Sequence, residues 1–87
     1  MKITRMNPIG GGVSCQHQFV IEHYGKRFFK SFNIIIAEID RAGRMTLDPR
    51  HDCSMTTKIF RGQFLNLSAK EVRSKIASGE IKVRNLN

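Results

Sequence analysis

Residues 68–79 most restrict the fold, because they specify a helix from both ends. Ser68 can accept a hydrogen bond from the amide of Glu71, and the Glu71 side chain can reach back to the Ser68 amide. This reciprocal capping box satisfies two donors that a helix N-terminus otherwise leaves unpaired. Val72 and Ile76, with Ala69 near the same side, make one apolar stripe, while Lys70, Arg73, Ser74 and Lys75 fall mostly elsewhere. Gly79 stands where a left-handed closing residue belongs. A helix with one apolar stripe must be laid on something. Just upstream, Ser54, Thr56 or Thr57 can each cap another helix, running through Ile59, Phe60 and Phe64. Gly62 inside it costs about 1 kcal/mol relative to Ala, so tertiary packing must hold that helix.

The rest of the chain supplies strands. Residues 2–6 alternate weakly, as an edge strand does, and Asn7-Pro8 turns the chain. Gly10-Gly11-Gly12 is a hinge: a phosphate-cradling loop needs a helix after it, and here a strand follows. Residues 16–23 alternate, with Phe19, Ile21 and His23 on one face and Val20 and Glu22 on the other. Tyr24-Gly25-Lys26 reads as a turn with Gly25 at positive φ, and residues 27–31 return, with Phe28 and Phe32 sharing a face. The most apolar run, residues 33–40, is β-branched and bounded by turn signals, so it is a central strand. Residues 41–44 turn the chain into Met45-Thr46-Leu47, and Pro49 ends that strand by removing an amide donor. Ile81 and Val83 alternate with Lys82 and Arg84 as a half-buried closing strand. The expected fold class is α+β: an antiparallel sheet of three or more strands, two short helices late in the chain and a C-terminal strand. Residues 1–87 read as one domain, with 1–13 as an N-terminal strand and glycine hinge.

Length and charge narrow the function classes. A chain of 87 residues buries roughly 60–65% of its unfolded surface, leaving little room for an enclosed substrate cavity. No apolar run approaches the ~20 residues of a membrane span. The first residues lack the apolar core of a signal peptide, so the cytoplasm is the expected site of action. Two cysteines are too few for a disulfide framework and fit a reducing compartment. Fifteen Lys and Arg oppose seven Asp and Glu, a net +8 that favours polyanionic partners: nucleic acid, an acidic protein face or a nucleoprotein complex.

Catalytic patterns are missing: there is no nucleophile elbow, paired-His helix or nucleotide loop, so no enzyme is expected. Glu38 and Asp40 can share a strand face but have Arg41 and Arg44 nearby. Cys15, His17, His51 and Cys53 have the ligand types for tetrahedral zinc. Their one-residue separations are shorter than the usual knuckle, so idle thiols and surface histidines are the preferred reading, and no metal or cofactor is expected. The basic residues are the stronger lead. Lys26, Arg27 and Lys30 lie on one hairpin, and Lys58 and Arg61 fall on one face of the first helix. Lys70, Arg73 and Lys75 decorate the second. Thr56 and Thr57 could add hydroxyls for a phosphate. The two helices also suggest a helix-turn-helix reading the major groove through Lys70, Arg73 and Ser74. In so strand-rich a chain, a helical hairpin on a sheet is preferred.

Ser31-Phe32-Asn33, Ile36-Ala37, Thr46-Leu47, Ser54 with Thr56-Thr57, Phe64-Leu65 and Ser78-Gly79-Glu80-Ile81 resemble a group of small proteins carried by bacteriophages and other mobile elements. The likeness spans roughly residues 24–86; the group usually has an aromatic where this chain has Cys53. The resemblance implies no catalytic residues. It implies a setting in which small proteins bind nucleic acid or obstruct a host machine, CRISPR effectors included. Two functions are therefore expected to compete: nucleic-acid binding through the Lys/Arg helix face, or stoichiometric inhibition of a host nucleoprotein or defence complex by protein contact.

Overall fold

A computed structural model describes residues 1–6 and 16–87; the glycine run and Cys15 lie outside the described residues. Five strands come first: β1 (Lys2–Arg5), β2 (Gln18–His23), β3 (Lys26–Ser31), β4 (Ile34–Ile39) and β5 (Met45–Leu47). Two helices, α1 (Met55–Leu65) and α2 (Ala69–Ser78), and a last strand, β6 (Ile81–Val83), follow. The strands form one six-stranded sheet in sequence order, so the α+β expectation holds and β4 is an interior strand. The closing strand departs from the antiparallel expectation: β6 lies parallel to β5, Met45 beside Ile81 and Leu47 beside Val83. Parallel neighbours need a crossover of a dozen or more residues, and the α1–α2 hairpin is that crossover.

Local chemistry fixes each connection. Tyr24 and Gly25 have φ of 51° and 78°. Both central positions of a type I′ turn require positive φ, and this turn follows the right-handed twist of β2 and β3. Asp40 holds the β4–β5 turn, accepting at Oδ1 from the amides of Ala42 and Arg44, both at 2.9 Å. Of the three candidate caps for α1, Ser54 takes the role: its Oγ accepts from the Thr57 amide at 3.1 Å. In α2 both halves of the Ser68–Glu71 capping box form, at 3.0 and 3.1 Å, and Gly79 closes the helix at φ 84°.

Both helices cover one face of the sheet. Phe29, Ala37, Leu47 and Ile81 from the strands bury against Phe60, Phe64, Leu65 and Val72 from the helices, with Ile76 alongside. Phe29 and Phe60 are sealed from solvent; full burial of such a side chain is worth about 1.5–3 kcal/mol. A register shift between Phe29 and Lys30 lets the apolar run of β4 face the helices along its length. Ile34 pairs with Ser31 and Ala37 with Phe29, so Ile36 is the extra residue of a bulge. Ile34, Ile36, Ala37 and Ile39 thereby all reach the core. Phe28 and Phe32 do not form the shared strand face expected of them, because Phe32 leaves the strand at φ 57° in the β3–β4 turn.

The tail after β6 is tied down by Asp48. This buried carboxylate accepts at Oδ1 from the Leu86 amide and Asn87 Nδ2, both at 2.9 Å. At Oδ2 it accepts from the amide and Nε of Arg50 at 3.0 and 3.1 Å. Asn87 also bridges the amide and carbonyl of Ile35.

Candidate nucleic-acid interface

The α1–α2 hairpin places three cations on the surface with no ion-pair partner among the described residues: Lys58 on α1, and Lys70 and Arg73 on α2. The reason lies in the burial of α2. Val72 is sealed against the core and Ile76 packs beside it, so the basic residues between and before them point outward. The capping box fixes the first turn of α2, which holds the Lys70 backbone rigid.

Lys58 and Arg73 line one cleft of about 520 Å³ between the helices and the loop before α1. Asp52 also lines this cleft, whereas Lys70 stands outside it. Arg61 lines the cleft too, and here expectation and structure part. The spacing placed Arg61 on an exposed face with Lys58, but its side chain is buried, only 4% exposed. The signal was present in α1: Thr57, Arg61, Phe64 and Leu65 are spaced as one helical stripe, and all four are buried.

Arg61 Nη1 lies 2.6 Å from Nδ1 of His51 and donates more weakly to the His51 carbonyl oxygen at 3.5 Å. Nε is buried without a partner, and Nη2 makes no hydrogen bond to a described residue. No carboxylate among the described residues forms an ion pair with this guanidinium. Burial, and then Arg73 nearby, lower the Arg61 pKa, with Asp52 acting in the opposite sense. An arginine keeps its proton in proteins, so the lowering signals a charge that is poorly compensated. Burial, and then Arg61, lower the pKa of His51 against the pull of Asp52 and Asp48. The imidazole therefore favours its neutral form, in which Nδ1 can accept from Arg61.

The remaining expected contact residues lie elsewhere. Lys75 is tied to Glu80 at 2.8 Å beyond the end of α2. The hairpin cations divide between the two sides of the sheet. Arg27 packs over the Phe64 ring at 5.2 Å on the helix side. Lys26 reaches buried Glu38 at 3.5 Å on the opposite face, where Arg84 also binds Glu38 at 3.1 Å. Lys30 is half-buried and pairs in register with Phe19. Thr57 does not serve as a phosphate donor. It is sealed in the core, with Oγ1 2.9 Å from the hydroxyls of both Ser31 and Ser54.

The described members of the Cys/His set are separated by the fold. His17 lies tilted against Phe32 with ring centres 5.4 Å apart, His51 adjoins Arg61, and Cys53 is exposed in the loop before α1. Among the described residues no group of three or more His, Cys, Asp or Glu is placed to hold a metal ion. No described helix is long and apolar enough to cross a membrane. Comparison with protein-family models, curated proteins and solved structures finds no match.

Proposed function

We propose that this protein binds nucleic acid through the basic surface of the α1–α2 hairpin. One observation carries the reading: Lys58, Arg73 and Lys70 are exposed on rigid elements and have no carboxylate partner among the described residues, and the one ion pair made from either helix, Lys75–Glu80, lies at the last turn of α2. Unpaired cations on a fixed frame are what backbone phosphates require, since phosphate contacts supply affinity and register. The net charge of +8 adds long-range attraction for the same partner. The sheet beneath gives the surface its rigidity, because Val72 and Ile76 anchor α2 from below.

Fluorescence anisotropy with labelled DNA and RNA oligonucleotides at increasing salt tests this. Each phosphate neutralised contributes about −0.9 (duplex DNA) or −0.7 (single strand) to the slope of log K against log salt. Engagement of the hairpin cations predicts a slope between about −2 and −4. The competing reading, a stoichiometric inhibitor of a host nucleoprotein or defence complex, predicts no oligonucleotide binding at low salt. It also predicts retention of a host protein that survives nuclease treatment.

A further inference from the structure

We infer that Arg61, held by His51 and sharing one cleft with Arg73 and Lys58, is a seat for a single phosphate group. The inference deepens the nucleic-acid reading and rests on it for the source of that phosphate. The guanidinium carries five N–H donors in a planar fork. The Nη1 side is turned to His51, toward Nδ1 at 2.6 Å and the carbonyl oxygen at 3.5 Å. The opposite edge of the fork is formed by Nε and Nη2. Nε is buried with no partner, and Nη2 bonds no described residue. That edge is the one a tetrahedral oxyanion engages with two parallel hydrogen bonds, the geometry in which Arg binds phosphate most strongly.

Charge agrees with geometry. Arg73 and Lys58 line the same cleft, and neither makes an ion pair with a described residue. Asp52 also lines it and makes no ion pair with Arg61. An arriving phosphate therefore meets three cations and one carboxylate; it bonds Nη2 from the cleft and reaches Nε, which is covered in the free protein, once the packing over the guanidinium shifts. His51 acts as a positioning residue: its ring nitrogen and carbonyl fix the rotation of the guanidinium so that the Nε–Nη2 edge is the free one. A purely structural arginine, stapling the 51–54 loop to α1, would use its Nη1 contacts and ignore added anion.

The test is an NMR titration of the full chain, following the Arg61 Nε–H and His51 ring signals. Three ligands are compared: inorganic phosphate, an oligonucleotide with a 5′-phosphate and the same oligonucleotide without it. Wild type and Arg61→Lys are titrated in parallel, because Lys keeps the charge and removes the fork; wild-type shifts stand even if the variant folds poorly. The seat predicts a saturable shift of the Arg61 Nε–H with inorganic phosphate at about millimolar concentration, weakened roughly tenfold or more in Arg61→Lys. A terminal phosphate as occupant predicts tighter binding of the 5′-phosphorylated strand, and a backbone phosphate predicts equal binding of both strands. Shifts confined to Lys58, Lys70 and Arg73, or a folded Arg61→Lys with unchanged affinity, would overturn the seat and leave the hairpin surface standing. A saturable Arg61 shift with inorganic phosphate but no oligonucleotide binding would uphold the seat and overturn the nucleic-acid reading.

Discussion

Replacing Asp48 by Asn should destabilise the protein in a pH-dependent way that identifies the carboxylate as the lock on the C-terminal tail. Asp48 is 1% exposed and accepts four hydrogen bonds, from Leu86, Asn87 and twice from Arg50. Burial alone would push its pKa up. The hydrogen bonds from Leu86, Arg50 and Asn87 outweigh burial and bring it down to about 2. A fall from 3.8 to about 2 corresponds to about 2.4 kcal/mol at 1.36 kcal/mol per pKa unit. Two of its partners, Arg50 and Asn87, are themselves exposed to solvent, which screens the interaction, so about 1–2 kcal/mol is the expected net effect. In a domain of this size that lowers Tm by about 5–15 °C. The sign follows from a depressed folded pKa: the stabilisation is complete above the unfolded value near 4 and disappears as pH falls through about 2. Urea melts of wild type and Asp48→Asn at pH 6, 4 and 3 measure the gap. Other carboxylates titrate in both proteins, so the difference isolates Asp48. A gap that narrows below pH 4 supports the account. A gap that stays constant to pH 3, or never exceeds ~0.5 kcal/mol, would refute the reasoning.

Three further outcomes follow from the same structure. Gly62→Ala should destabilise by thermal melt, although Ala gains about 1 kcal/mol in helix propensity; an added Cβ would stand 3.0 Å from the Leu67 carbonyl oxygen, a backbone atom that also accepts no easy displacement. Ser68→Ala should cost about 1 kcal/mol by urea melt, through loss of the bond to the Glu71 amide, with faster amide exchange confined to the first turn of α2. Lys26→Glu should lower Tm more than Lys30→Glu, because it sets a carboxylate beside buried Glu38, where Lys26 and Arg84 now supply the countercharge.

How much of this was legible in the sequence depended on how local the cause was. The α2 caps, the Ser54 cap and the Tyr24–Gly25 turn each rest on residues within a few positions of one another, so their chemistry is written in short strings. The bulge in β4 was written less openly: Ile34 and Ile36 have one parity, Ala37 and Ile39 the other, and an apolar run of both parities needs an extra residue to face one side. The parallel β6 followed from the length of the crossover, which sequence alternation alone does not report. Arg61 was placed outward by its spacing from Lys58, although its spacing from Thr57, Phe64 and Leu65 puts it within the buried stripe. Its partner His51 lies ten residues away in a loop, so the pair exists only once the loop folds back on α1. The hairpin cations looked like one group because they are adjacent in sequence, and strand alternation sends them to opposite faces.

The central claim, that the α1–α2 surface is where nucleic acid binds, is tested most directly by comparing two double reversals in one oligonucleotide-binding assay. Lys70→Glu with Arg73→Glu changes the hairpin surface; Lys30, between buried Phe29 and Ser31, and Lys82, next to buried Ile81, alternate to the sheet face away from the helices, and reversing both to Glu makes the same change in net charge there. Equal net charge removes the long-range term, so any difference reports location. The helix pair should lose at least tenfold in affinity and flatten the salt slope by about 1–2, at nearly unchanged Tm, while the sheet pair loses little. Equal losses, or a larger loss from the sheet pair, would contradict the claim.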